Sequence, residues 1–164
     1  MPTTTRAKPP ASPRTRYEDD LYTWVEEQVA LLRAGKLSEI DAANIAEELG
    51  DLAKAELRSL KSAIAVLTQH LLKWDHQSKR RSRSWELTVR EHRRQIVEVL
   101  QENPGLRAKL ATAIVSGYAS GRNGALGETG LPDEAMPEAC PYTFDEMMTR
   151  PITYVPPPRH SKKG

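Results

Sequence analysis

The stretch DAANIAEELGDLAKAELRSLKSAIAVLTQHLLKW, residues 41–74, contains no proline and carries one continuous apolar stripe. Its apolar side chains recur at spacings of three, four or their sums: Ile45, Leu49, Leu52, Leu60, Ile64, Leu67, Leu71 and Trp74. This period places them on one face of an α-helix. At 1.5 Å per residue, the stretch predicts a helix of roughly 50 Å. Gly50 is the one expected bend.

A shorter amphipathic helix is predicted before this stretch. Asp19 or Asp20 can cap its start, and Gly35 is a suitable residue just beyond its end near Ala34. The apolar residues of this helix fall on one broad face that is expected to be inward: Leu21, Trp24, Val25, Val29, Leu31 and Leu32.

Three further helices are predicted after the long stretch. The third follows a turn over residues 77–83, and Asn103-Pro104 supplies the N-cap and first position of the fourth. Thr143 and Glu146 form a capping box for a short C-terminal helix. Because no stretch alternates with period two, the predicted fold is all-α, a bundle of four main helices with one long central helix.

Length and composition favour one domain with tails. The chain has 164 residues, of which 38% are apolar, and we expect a tail at 1–16, a helical domain at 17–149 and a Pro-rich basic tail at 150–164. No apolar run approaches a membrane span, and Cys140 is the only cysteine, which excludes a disulfide scaffold. With no signal peptide at the N-terminus, we expect a cytoplasmic protein.

The formal net charge of +2 hides segregated blocks. Residues 17–59 carry eleven acidic and four basic side chains, whereas residues 73–94 carry eight basic and three acidic ones. Either these blocks neutralise each other within the fold or across a dimer, or the basic block faces an external anion.

Three segments resemble a known family. They are NIAEELGDLAKAELRSL, HLLKWDHQSKRRSRSWELTVREHRRQI and ETGLPDEAMPEACPYTFDEMM, and their order and spacing over residues 17–149 resemble the domain-of-unknown-function 29 family of bacteria. The resemblance implies a small all-helical protein without an established activity, and it assigns no catalytic residue to any position of this sequence. In that family HLLKW is followed by a Gln-Pro pair, whereas here Gln77 precedes Ser78, so a looser turn is expected.

Four polar side chains lie at the centres of apolar helix faces and are expected to be buried: Gln28, Glu56, His70 and His92. Inward Glu and His side chains can hold a metal in a helical bundle. Glu56 and His70 are, however, 14 residues apart, which is about 21 Å of helix and too far for one ion. A structural hydrogen-bonding role is therefore favoured, and an enzyme with an unrecognised Glu/His site is a second alternative.

A cluster of cations surrounds the turn between the second and third helices: Lys73, Lys79, Arg80, Arg81, Arg83, Arg90, Arg93 and Arg94. We call residues 73–94 the basic hairpin. Cations interleaved with Trp74 and Trp85 suit phosphates and unstacked bases, which makes weak, sequence-independent nucleic-acid or phosphate binding an alternative function.

The leading hypothesis is a non-catalytic helical interaction module. The sequence contains no phosphate loop, zinc-protease motif or nucleophile elbow, and we predict neither a metal nor a cofactor. A helix of roughly 50 Å has a longer apolar face than so small a bundle covers. The remainder would be buried by a second copy or by a protein partner.

Overall fold

The computed structural model describes residues 14–157 and is all-helical over that range. Five α-helices follow one another: α1 Leu21–Arg33, α2 Ala42–His76, α3 Arg83–Glu102, α4 Leu110–Thr129 and α5 Phe144–Thr149. Short 3-10 helices lie in the connections, and residues 14–157 include no strand. The predicted all-α class with one long helix is therefore confirmed.

The long helix α2 has 35 residues and passes Gly50 without a break. It extends two residues beyond the predicted stretch, because the Gln77 backbone N–H donates to the Lys73 carbonyl at 2.9 Å and closes a last turn. The chain divides into two compact units, Met1–Leu52 and Ala53–Gly164. Length and composition favoured one domain over 17–149, and α2 itself runs through the boundary between the two units.

The first unit contains α1 and the beginning of α2. Asp20 caps α1, since its carboxylate accepts a hydrogen bond from the Thr23 backbone N–H at 3.0 Å, and Gly35 adopts a left-handed φ of 67° after the helix end. Gln28 is buried, and its side-chain carbonyl accepts from the backbone N–H of Asp41 at 2.8 Å. This bond satisfies a donor at the start of α2 and ties the two helices together.

The second unit holds the main core. The C-terminal part of α2 packs with α3, α4 and α5, and its centre consists of fully buried aliphatic side chains: Leu60, Ile64, Leu67, Leu71, Val89 and Ile96. A smaller cluster forms around Leu72, Tyr118 and Met136. Ser82 caps α3 through the Trp85 backbone N–H at 3.3 Å, and Thr143 with Glu146 forms the predicted capping box of α5.

Glycines on α4 allow it to approach α2 closely. A Cβ atom at Gly117 would lie 2.7 Å from Cγ2 of Ile64, and one at Gly121 would overlap Oγ1 of Thr68. At Gly127 a Cβ atom would meet no other atom within 4 Å. The interface between α2 and α4 therefore depends on the absence of side chains at Gly117 and Gly121.

The fourth helix begins later than the sequence predicts. Pro104 starts a 3-10 helix, Pro104–Lys109, and α4 follows from Leu110. The Asn103 side chain does not cap this turn, because its amide donates to the Glu56 carboxylate at 3.1 Å and to the Val99 carbonyl at 3.2 Å. The expectation that Asn103 and Pro104 open α4 directly was therefore wrong.

Packing extends into both segments predicted to be tails. The Thr15 backbone N–H donates to the Glu27 carboxylate at 3.0 Å. After residue 149, Ile152 is buried in the main core, and the Tyr154 backbone N–H donates to the Glu86 carboxylate at 3.0 Å. The rest of the predicted tails, residues 1–13 and 158–164, lies outside the described residues.

Candidate functional site

The basic hairpin was the first candidate site, but several of its cations form hydrogen bonds or ion pairs within the chain. Lys73 is buried, forms an ion pair with Glu128 and places its ammonium nitrogen 4.5 Å from the centre of the Trp85 ring. The hydrogen bond from Lys73 holds the pKa of the Glu128 carboxyl below its usual range. Arg81 donates to the Trp74 carbonyl at 2.9 Å and lies over the Trp74 ring.

The arginines of α3 are also engaged. Arg83 and Arg90 flank the buried Glu86 carboxylate at 2.7 and 3.0 Å. The hydrogen bond from the Tyr154 backbone and the bond from Arg83 hold the pKa of the Glu86 carboxyl below its usual value. Glu86 was not among the four polar side chains expected to be buried, although its spacing to both arginines, three residues back and four ahead, is a signal for such ion pairs.

The remaining arginines of α3 have different partners. Arg93 donates to the backbone carbonyls of Met147 and Arg150 at 2.7 and 2.8 Å. Arg94 pairs with Glu91 and Glu98 at 2.7 and 3.0 Å. Both guanidinium groups therefore have hydrogen-bond or ion-pair partners within the second unit.

Two cations of the basic hairpin have no hydrogen-bond or ion-pair partner among the described residues, and we call them the uncommitted cations. Lys79 and Arg80 are exposed in the turn between α2 and α3, and their side chains make no hydrogen bond or ion pair with any of residues 14–157. The carboxylates that pair with the other cations of the basic hairpin, Glu86, Glu91, Glu98 and Glu128, belong to the second unit. The patch expected from eight basic residues thus has two cations free to meet an external anion.

The four polar residues expected in the core make separate contacts and do not meet at one site. Gln28 is buried, whereas Glu56, His70 and His92 are half-buried. Nδ1 of His70 lies 2.9 Å from the Val66 carbonyl, and Nδ1 of His92 lies 3.0 Å from the Thr88 carbonyl. Burial lowers the pKa of His70, with a smaller contribution from the Lys73 charge.

No metal centre is formed by the described part of the chain. Residues 14–157 contain no group of three or more His, Cys, Asp or Glu side chains suited to an ion. Cys140 is partly buried, and burial raises the pKa of its thiol. This shift opposes the thiolate form that a nucleophilic cysteine needs.

A second candidate surface lies on the first unit, where apolar side chains are exposed at helical spacing. Leu49 and Leu52 of α2 are 63% and 61% exposed, although they continue the stripe that is fully buried from Leu60 onward. On α1, exposed apolar side chains recur at spacings of four and seven residues: Leu21, Val25 and Leu32. We call these five residues the exposed apolar set.

The exposed apolar set corrects one expectation from sequence. The α1 face containing Leu21, Val25 and Leu32 was predicted to be inward, but only Trp24 and Gln28 of α1 are buried. The excess length of the α2 stripe was predicted, while its location at Leu49 and Leu52 is visible only in the structure.

The first unit, which carries this set, has more acidic than basic side chains. Its described residues, 14–52, contain ten acidic and four basic side chains, and two of the basic ones, Arg14 and Arg16, pair with Glu39 and Glu18. The Tyr17 hydroxyl donates to the Glu48 carboxylate at 2.5 Å. That hydrogen bond, with the nearby charges of Glu47 and Asp51, raises the pKa of Tyr17 to about 12.

Comparisons with known proteins place the chain in one family. The family model described as "Domain of unknown function DUF29" matches residues 16–152, which includes the buried Ile152. No curated protein and no solved structure matches this chain. Among residues 14–157, no helix combines the length and the apolar character needed to traverse a bilayer. Because the match covers most of its length, the chain belongs to the DUF29 family.

Proposed function

We propose that this protein is a non-catalytic interaction module whose first unit binds another protein through the exposed apolar set. The observation that carries the proposal is the change of exposure along α2. Leu60 is 0% exposed and Leu52 is 61% exposed, although both belong to one stripe. Solvent-exposed leucines at helical spacing are typical of a surface that a partner covers.

The energetic gain from covering this surface is appreciable. Burying a fully exposed leucine contributes about 1.5–3 kcal/mol. Leu49 and Leu52, each more than half exposed, would then contribute about 1–2 kcal/mol apiece on complex formation. Leu21, Val25 and Leu32 add smaller amounts because part of each is already covered.

Photo-crosslinking tests the proposal directly. A photo-crosslinking amino acid placed at Leu52 should capture a defined protein in the organism that carries the gene, while the same group at Val115, 70% exposed on α4, should not. The captured protein is then purified and its binding to this chain is measured. Equal capture at both positions, or no binding between the purified components, would contradict the proposal.

A double substitution separates docking from internal packing. We expect Leu49→Gln/Leu52→Gln to abolish binding of the captured protein and to change the free energy of unfolding by less than about 0.5 kcal/mol, as exposed positions do. Leu87→Gln/Val115→Gln is the matched control in the second unit. A large loss of stability in the first variant would show that the leucines are core residues.

The alternative function, weak binding of nucleic acid or phosphate, rests on Lys79 and Arg80. Both are exposed beside a shallow cavity of about 270 Å³ that His76, Gln77 and Ser78 also line. Two uncommitted point charges suit phosphates and do not discriminate bases. The other cations of the basic hairpin have intramolecular partners, and this favours the interaction module.

A further inference from the structure

We propose that the partner of the first unit presents a cationic amphipathic helix, with apolar side chains on one face and lysines or arginines on its flanks. This inference rests on the proposed function and adds the chemistry of the partner. The apolar face would cover Leu49 and Leu52 of α2 together with Leu21, Val25 and Leu32 of α1. The flanking cations would meet the acidic side chains of the first unit.

Helical spacing of the exposed apolar set indicates a helical partner. At 100° per residue, Leu21, Val25 and Leu32 lie within about 40° of one another on α1, and Leu49 and Leu52 lie within about 60° on α2. Each helix therefore presents a narrow apolar ridge. A partner helix with apolar residues at positions i, i+3, i+4 and i+7 offers a complementary ridge.

Carboxylates beside the exposed apolar set determine the charge expected on the flanks of the partner helix. Glu48 lies about 40° from Leu52 around α2, and Glu26 lies about 100° from Val25 around α1. Glu26 is exposed, and its side chain makes no ion pair or hydrogen bond with any of residues 14–157. Glu48 bonds to a neutral phenol, so its charge is not cancelled by that contact. These carboxylates attract lysines and arginines on the flanks of an apolar face.

A second copy of this chain does not offer an apolar face with cationic flanks. An isologous dimer through the exposed apolar set would bring together two units that each carry ten acidic and four basic side chains over residues 14–52. A head-to-tail contact with the basic hairpin of another copy would reach only two uncommitted cations, Lys79 and Arg80. Like-charge repulsion thus favours a different protein with a cationic segment.

Binding of designed peptides to the full-length chain tests this inference. We would use three fluorescent peptides of 18 residues: an amphipathic helix of leucine, alanine and lysine; the same peptide with glutamate for every lysine; and a scrambled peptide of the first composition. Fluorescence anisotropy gives the dissociation constants at low and at physiological salt. We expect the cationic amphipathic peptide to bind at least tenfold more tightly than either of the others.

Variants assign the binding to the proposed surface. Leu49→Gln/Leu52→Gln should weaken the cationic peptide at least tenfold, and Glu26→Gln/Glu48→Gln should weaken it at least threefold and reduce its salt dependence. The second variant retains an acceptor for Tyr17. The controls are Leu87→Gln/Val115→Gln and Glu134→Gln/Glu138→Gln, exposed positions of the second unit, and neither should change the affinity.

The contrary outcomes distinguish failure of the cationic partner from failure of the proposed function. Equal affinity for the cationic and anionic amphipathic peptides would overturn the inference about charge and leave docking through the apolar side chains intact. Equal affinity for the scrambled peptide would reduce the contact to non-specific charge attraction and overturn the inference. No binding of any peptide would also overturn it, and the proposed function would then be judged by crosslinking at Leu52. Dimerisation in sedimentation that is lost in Leu49→Gln/Leu52→Gln would identify a second copy as the occupant and refute the cationic partner.

Discussion

Substitution of Gly117 by alanine probes the close packing of α4 on α2. The new Cβ atom would lie 2.7 Å from Cγ2 and 2.9 Å from Cβ of Ile64, and 3.0 Å from the Lys61 carbonyl oxygen. Ordinary contacts to carbon require 3.5–4.0 Å, so the helices must separate by about 1 Å. Ile64 is fully buried, so any movement of its side chain must displace other core residues.

The magnitude follows from two opposing effects. Alanine gains about 0.5–1 kcal/mol over glycine in a helix interior, while overpacking a rigid core costs about 1–3 kcal/mol. Because both a backbone carbonyl and a core side chain must move, we take the upper part of that range. Gly117→Ala should therefore lower the free energy of unfolding by about 2 kcal/mol.

Gly127 on the same helix provides the matched control. It is exposed, and a Cβ atom there would meet nothing within 4 Å, so Gly127→Ala should raise the free energy of unfolding by about 0.5–1 kcal/mol. Urea denaturation followed by circular dichroism at 222 nm measures both variants. If Gly117→Ala is as stable as Gly127→Ala, the close approach of α2 and α4 is refuted.

Three further predictions concern titration and salt. Glu86→Gln should lower the melting temperature at pH 7, because the hydrogen bond from the Tyr154 backbone depresses the folded-state pKa of Glu86. This contribution is present above the unfolded-state pKa of 4.5 and is lost as the pH falls through the lower folded-state pKa. The melting temperatures of the variant and the natural protein should therefore converge in acid. Burial depresses the pKa of His70 below 6.5, so acidification from pH 7 to pH 5 should destabilise the natural protein more than His70→Gln. His76→Gln, at an exposed position, is the matched control. Any nucleic-acid binding through Lys79 and Arg80 should lose affinity with a slope of about −2 in log affinity against log salt; a titration of unrelated duplexes that gives a slope near −6 would show that the paired arginines also contact phosphates.

Local interactions explain why most helices were predictable. Asp20, Ser82 and Thr143 cap helices through donors within three residues of themselves, and Gly35 adopts the conformation that ends α1. The 3.6-residue period of the α2 stripe likewise depends only on neighbouring turns. The sequence by itself therefore determined the all-helical class and most helix bounds to within two or three residues.

Contacts between distant residues explain what the sequence did not show. Asn103 has a good capping side chain, but its partner is Glu56, 47 residues away. Lys73 is buried, lies over the Trp85 ring and pairs with Glu128, 55 residues away, so it does not contribute to an exposed basic patch. Neither pair has a spacing that a sequence pattern reveals, because the distance between two helices is set by packing of the whole core.

The exposed apolar set also shows which properties the sequence determines and which depend on the tertiary structure. Leu49 and Leu60 are identical in type and lie within about 20° of each other in helical phase, so the sequence determined that both belong to one apolar face of α2. Only the tertiary structure decided that Leu60 is covered and Leu49 is not. Helical phase is a local property of the backbone, whereas burial depends on which other elements pack against that part of the helix.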